Sequence, residues 1–158
     1  MITYGMAGVL LTLVHPATAQ GSQQAQIPTQ LSAEVKAAAA SVDSFHGALA
    51  RGDQAAAAAL MANDALIYES GGAERSKAEY AAHHLPADAA FAQAVSRTLT
   101  RRQVSANGGL AWVASEATVT GTYKGRAINS RSVETVVLRR TGPAWRIVHI
   151  HWSSADVK

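Results

Sequence analysis

Apolar residues recur at helical spacing in the first half of this chain and alternate with polar ones in the second. Val35, Val42, Phe45 and Leu49 fall on one stripe of a 3.6-residue period, which predicts an amphipathic helix over residues 31–51. Gly52 ends it, and Asp53 caps a second, Ala-rich helix reaching Met61. Ala65-Leu66-Ile67-Tyr68 reads as a short strand stopped by Ser70-Gly71-Gly72. Ser76-Lys77-Ala78-Glu79 has the form of a capping box, so a third helix starts there and runs to about Leu85, with Pro86 opening a further short helical turn. From Val95 the period changes to two, predicting strands over 96–106, 109–122, 127–140 and 144–153. Asn107-Gly108-Gly109, Tyr123-Lys124-Gly125-Arg126 and Thr141-Gly142-Pro143 supply the connecting turns. Helices followed by a long meander argue for an α+β fold, with the N-terminal helices packed on one face of a curved antiparallel sheet.

The first thirty residues change the picture. Val9 to Val14 form a short apolar core, Pro16 breaks it, and Ala17-Thr18-Ala19 matches a small-x-small cleavage site. Residues 1–19 therefore read as a secretory signal, although no Lys or Arg precedes the apolar core, and the run is too short to span a bilayer as a helix. Residues 20–30, rich in Gln and free of charge, read as a flexible mature terminus, leaving 31–158 as one domain. The expected location is periplasmic or secreted, with no membrane attachment after cleavage.

Composition excludes several classes. The chain has no cysteine, so a disulfide framework, a thiolate metal site and a cysteine nucleophile are impossible. The formal charge of +3 comes from Lys and Arg spread over predicted strands and turns, without the clustered charge of a nucleic-acid surface, and no nucleic-acid partner is expected. No phosphate loop, dinucleotide fingerprint or nucleophile motif occurs, and no cofactor is expected.

Two stretches carry a resemblance. Ala48-Leu49-Ala50-Arg51-Gly52-Asp53, followed by the run from Ala59 to Glu69, is similar to the helix–Gly-Asp–helix–strand opening of ketosteroid isomerases and SnoaL-like cyclases. Ser130 to Thr135, Arg139-Arg140 and Trp145 to Ser153 are similar to the closing strands of the calcium/calmodulin-dependent kinase II association domain. Both point to the nuclear-transport-factor-2-like superfamily, and the resemblance implies a cone around one internal pocket. It places Glu69 where ketosteroid isomerases hold their general base, and their oxyanion donors on Phe45 and Val136, which have no proton to donate. Ketosteroid isomerase chemistry as such is thereby argued against. The three pocket arginines of the association domain would fall on Glu116, Val136 and Trp152, so its cationic pocket is not expected either.

The candidate residues follow. Glu69 ends an apolar strand before a Gly-Gly turn, where a carboxylate facing a cavity would gain proton affinity and suit a general base; the alternative is an exposed strand-end group. Tyr68 alternates with it and is expected on the opposite side. Glu116 shares a period-two face with Trp112 and Ala114, and the register puts that face inside. Glu134 shares a face with Val136 and Leu138, either lining the pocket or pairing with a strand arginine. His83 and His84 are adjacent on a helix and cannot both face one site; Tyr80 and His84 share a stripe, which favours His84 inward. His149 and His151 alternate with Val148, Ile150 and Trp152, placing the histidines on the convex face of the sheet, where a homodimer would form. A His-x-His metal pair is the alternative there, but no third ligand shares the face and no metal is expected.

The expected function is an exported binder of a small, mainly apolar molecule. Its pocket would be lined by Phe45, Glu69, His84, Trp112, Glu116, Glu134, Val136 and Trp152. Two alternatives stand beside it: a cofactor-independent isomerase, lyase or hydrolase using Glu69 as base with His84 or Glu116 as partner, and a module that dimerises through its sheet.

Overall fold

The computed structural model describes residues 32–157. The expected leader over 1–19 and terminus over 20–30 lie outside the described residues. Among those described, no helix is long and apolar enough to cross a membrane.

Local chemistry sets the helix starts. Helix α1 spans Ala33–Ala50, and the Val35 amide donates to the Ser32 hydroxyl at its N-terminus. Gly52 at φ +71 ends it, and Asp53 caps α2, Gln54–Ala59, by accepting from the Ala56 amide at 2.9 Å. Ser76 caps α3, Lys77–His83, by accepting from the Glu79 amide at 3.0 Å. The returning arm of that box goes one residue further back than the pattern implies: the Arg75 amide donates to Glu79 Oε2 at 2.7 Å. Pro86 sits in the first turn of α4, which is a full ten-residue helix, Leu85–Ala94, and not a short turn. Leu85 and Ala89, four residues apart, bury one stripe of it.

Six strands follow the order β2-β1-β6-β5-β4-β3. They are β1 (Met61–Glu69), β2 (Gly72–Glu74), β3 (Val95–Asn107), β4 (Leu110–Tyr123), β5 (Arg126–Thr141) and β6 (Ala144–Asp156). The last four make the expected antiparallel meander, and the α+β class holds. The sheet is nevertheless mixed, because β1 pairs with β6 in parallel, Ile67 opposite Ile150 and Glu69 opposite Trp152. That pairing also explains why β1 begins at Met61, inside the stretch expected to be helical. The Ile147 amide donates to the Leu60 carbonyl, and Met61 lies opposite Ile147, so β6 draws the segment out of the helix. Tertiary pairing outweighs the modest helical preference of a few alanines.

Ala38, Val42, Phe45 and Leu49 of α1 close over Val113, Val136, Leu138, Ile147 and Ile150 of the sheet in one apolar core. A register shift between the Val137 and Leu138 pairs keeps β6 facing this core on both sides of the irregularity, so Trp145, Ile147 and Ile150 are all buried. Phe45 and Val136 lie in this core and have no exposed surface.

Candidate functional site

The end of β1, the hairpin into β2 and the α3–α4 corner surround a cavity of about 240 Å³. Ile67, Glu69, Ser70, Gly72, Glu74, Tyr80 and His84 line it. The two-residue turn at Ser70-Gly71, both at positive φ, folds β2 back so that Glu74 lies opposite Ile67. The α3–α4 corner is held at His84, whose amide donates to the Tyr80 carbonyl (3.0 Å) and whose carbonyl accepts from the Asp88 amide (2.9 Å).

Two carboxylates, Glu69 and Glu74, line the cavity, a third, Asp88, is hydrogen-bonded to its Tyr80, and their states differ. Glu74 is buried, and His84 Nδ1 contacts its Oε1. Asp88 accepts from the Tyr80 hydroxyl at 2.7 Å. Glu69 is exposed at the end of β1, on the rim of the cavity, and its carboxylate makes no hydrogen bond or ion pair with the described residues. Partial burial pushes the Glu69 carboxyl above its ordinary range and repulsion from Asp88 adds to this, while His84 pulls it down. Burial likewise raises Asp88 against the lowering effects of the Tyr80 hydrogen bond and of His84. Tyr80 is fully buried, and burial with the adjacent carboxylates keeps its hydroxyl protonated. The arrangement offers one unpaired, proton-avid carboxylate, a tethered imidazole and a neutral phenol around one small space. Among the described residues, no group of three or more acidic or His side chains is arranged to hold a metal ion.

A second polar cluster lies deeper. Glu134, with 3% of its surface exposed, accepts from Trp152 Nε1 at 2.6 Å. His46 Nε2 is 2.7 Å from the same oxygen but not aligned as a hydrogen bond, and Arg97 Nη2 is 3.7 Å from the other. Burial pushes Glu134 up, yet the His46 and Trp152 contacts and the Arg97 charge outweigh it and hold the carboxyl below its ordinary range. Trp152 stacks on Phe45 at 6.3 Å and approaches Tyr80 at 6.4 Å between ring centroids, which links the two clusters. A wider groove of about 380 Å³ between α1 and β3 is chemically quieter, since its carboxylate and guanidinium, Asp43 and Arg102, are paired at 2.7 Å.

The expected residues divide accordingly. Glu69 and His84 meet at the small cavity. Glu134 and Trp152 sit together in the buried cluster, with Glu134 on the face of Val136 and Leu138 and also beside an arginine. Phe45 and Val136 are core residues. Trp112 and Glu116 require a correction, because both are exposed on the outer face of the sheet. The inward residues of β4 are Ala111, Val113, Ser115, Ala117 and Val119. Both faces of this strand carry apolar side chains, so alternation alone does not say which one turns in, and a one-residue choice flips every side chain. His149 and His151 lie on the opposite face from Ile150, flanking Tyr68 edge to face. The residues missed by sequence reading are Glu74, Asp88, His46 and Arg97. The phase of α4 would have put Asp88 one turn from Leu85, but nothing local pointed to Glu74.

Known proteins show the same shape. A protein from Shewanella frigidimarina, provisionally assigned as a ketosteroid isomerase, is 39% identical, with a TM-score of 0.72 over 74% of this chain and 94% of its own. A provisionally assigned dehydratase of the NTF2-like family from Streptomyces avermitilis is 20% identical, with a TM-score of 0.67 over 79% of this chain and 96% of its own. A provisionally assigned calcium/calmodulin-dependent kinase II association domain from Xanthomonas campestris is 23% identical, with a TM-score of 0.67 over 81% and 91%. No curated protein matches the chain. The SnoaL-like domain profile matches residues 38–157, from the first core residue of α1 to the end of β6 and across every residue of both clusters. The chain belongs to the SnoaL-like domain family.

Proposed function

We propose that this protein binds a small molecule in the cavity between β1, β2 and α3 and uses Glu69, without a cofactor, as a general base upon it. One observation carries the reading: of the two carboxylates lining the cavity, Glu69 is the one left unpaired among the described residues, while Glu74 is held by His84, and Asp88 beside the cavity by Tyr80. A base must be free to accept a proton and must hold it more tightly than an exposed carboxylate does. The names of the relatives, an isomerase and a dehydratase, lie in the same reaction range, one of moving or eliminating protons. The test is Glu69→Gln, with a ligand screen by thermal shift on the protein lacking residues 1–19. The amide removes the base but keeps the shape, and because the folded state disfavours the Glu69 charge, melting temperature should hold or rise slightly. Loss of ligand response or turnover at unchanged stability is expected. A large fall in stability with no change toward ligand would make Glu69 a structural group and overturn the proposal.

A second reading concerns assembly. Leu110, Trp112 and Val133 are 54%, 41% and 52% exposed on the outer sheet face, where Trp112 lies opposite Val137 and Val137 opposite His149. Exposed apolar side chains on this face support a homodimer through it. Sedimentation should give a dimer at tens of micromolar and a monomer for Trp112→Glu; a wild-type monomer would refute it. The leader pattern of residues 1–19 supports export to the periplasm or beyond. Intact-mass analysis after expression in a secreting bacterium should find cleavage after Ala19, and full-length protein in the cytosol would refute export.

A further inference from the structure

We propose that Glu74 is a positioning residue that fixes the ring and tautomer of His84, making His84 Nε2 the second proton-transfer atom of the cavity; this rests on the reading of Glu69 as its base. The two partners are unequal. The Glu74 side chain is 7% exposed and that of His84 is 59% exposed, and His84 Nδ1 is the one described partner of that carboxylate. A buried carboxylate left unpaired is unfavourable, which favours keeping the Glu74–His84 contact. In this arrangement Glu74 is the acceptor, Nδ1 carries the hydrogen, and the exchangeable site of the ring is Nε2. Rotating the ring would leave the buried Glu74 carboxylate without its described partner. The backbone adds a second constraint, because the His84 amide and carbonyl are bonded into α3 and α4.

His84 is also within electrostatic reach of both other carboxylates, since its charge lowers the proton affinity of Glu69 and of Asp88. It lines the same cavity as Glu69. The step balances without a co-reactant. Glu69 takes a proton from the bound molecule, and the electron pair released moves through the conjugated system to an oxygen of that molecule. That oxygen takes the proton of Nε2 from the protonated ring. Glu69 ends protonated and the ring ends neutral, with Nδ1–H still on Glu74. The reverse exchange at a second atom of the molecule restores both groups.

Two measurements on the folded domain test this. Nitrogen-15 spectra of the neutral His84 ring should show the Nδ1–H tautomer in wild type. They should show mainly Nε2–H in Glu74→Leu and again Nδ1–H in Glu74→Gln, whose amide oxygen still accepts. A wild-type ring in the Nε2–H form overturns the proposal even if Glu74→Leu does not fold. The second measurement is deuterium uptake by cyclohexanone in D2O. Wild type should accelerate it, with losses of about a hundredfold in His84→Gln and in Glu74→Leu, and recovery in Glu74→Gln. Full activity of His84→Gln and Glu74→Leu beside an inactive Glu69→Gln overturns the role of Glu74 and His84 and leaves Glu69 standing. Loss in those two variants beside an active Glu69→Gln overturns the Glu69 reading and the exchange built on it, and leaves the tether of His84 by Glu74 standing. No acceleration by wild type overturns both.

Discussion

Replacing Glu134 by Ala should destabilise this protein more than any exposed-charge substitution. The carboxylate is 1% exposed in its side chain, and it lies within 2.6 Å of Trp152 Nε1, 2.7 Å of His46 Nε2 and 3.7 Å of Arg97 Nη2. Alanine would leave an indole N–H, an imidazole nitrogen and a guanidinium nitrogen facing one another without an acceptor. A hydrogen bond to a charged group contributes about 1.5–3 kcal/mol, and removing one partner of a buried charge pair costs about 3–5 kcal/mol. These overlap, so the expected loss is about 3–5 kcal/mol, which is roughly 10–20 °C in melting temperature for a domain of this size. Glu134→Gln keeps the volume and an acceptor for Trp152 but loses the charge beside His46 and Arg97, and should cost about half as much. Urea unfolding followed by far-ultraviolet circular dichroism measures both, independently of any change in Trp152 fluorescence. The pH dependence supplies a second arm. The folded carboxyl sits below its ordinary value of 4.5, so its stabilisation is fully present above that pH and is lost as pH falls through the lower folded value. The gap between wild type and Glu134→Gln should therefore be widest above pH 4.5 and shrink in acid. A loss below about 1 kcal/mol for Glu134→Ala, or a gap that widens in acid, would refute the reasoning.

Asp88→Asn should lower the titration midpoint of Glu69 by removing a like charge, as read by carboxyl carbon-13 shifts; an unchanged midpoint would show that burial alone raises it. Both Glu69 and Asp88 are raised, so they oppose folding once ionised, and wild-type stability should decline as pH rises through their folded midpoints, with a shallower decline in Asp88→Asn. Tyr80→Phe removes the donor to Asp88 and should cost about 1–3 kcal/mol in urea unfolding while raising the Asp88 midpoint further. Gly121→Ala would place a Cβ 2.7 Å from the Ala94 carbonyl oxygen and 2.9 Å from Val95 Cα. Both are main-chain atoms at the α4–β3 junction, and the crowding should cost about 1–3 kcal/mol by the same assay.

The helix starts and the hairpin turns of this chain are set by interactions among residues a few positions apart, which is why they could be read in order. Ser32, Asp53 and Ser76 start helices because each hydroxyl or carboxylate reaches an amide three residues on. Lys124-Gly125 turns the chain between β4 and β5 because both residues take positive φ. The stripe of Val42, Phe45 and Leu49 fixed the buried face of α1, and Glu134, Val136 and Leu138 fixed that of β5. Glu69 and His84 were legible as candidates for the same reason, one at a strand end and one on a helical stripe.

Tertiary structure decided what local spacing leaves degenerate. Residues 61–69 pair in parallel with a strand some eighty positions later, and no turn between them records that choice. The inward face of β4 was settled by which side fits under α1: Ala111 and Val113 go beneath the helix and Trp112 is left outside. The chemistry is decided at the same level, because Glu74 meets His84, Tyr80 meets Asp88, and Glu134 meets His46 and Arg97 across different elements. Surroundings then set apart side chains that look alike in sequence: the His46, Trp152 and Arg97 contacts hold Glu134 low against its burial, while partial burial and the charge of Asp88 raise Glu69. A carboxylate's proton affinity depends on the solvent and charges within a few ångströms of it, and those neighbours are assembled only when the chain closes on itself.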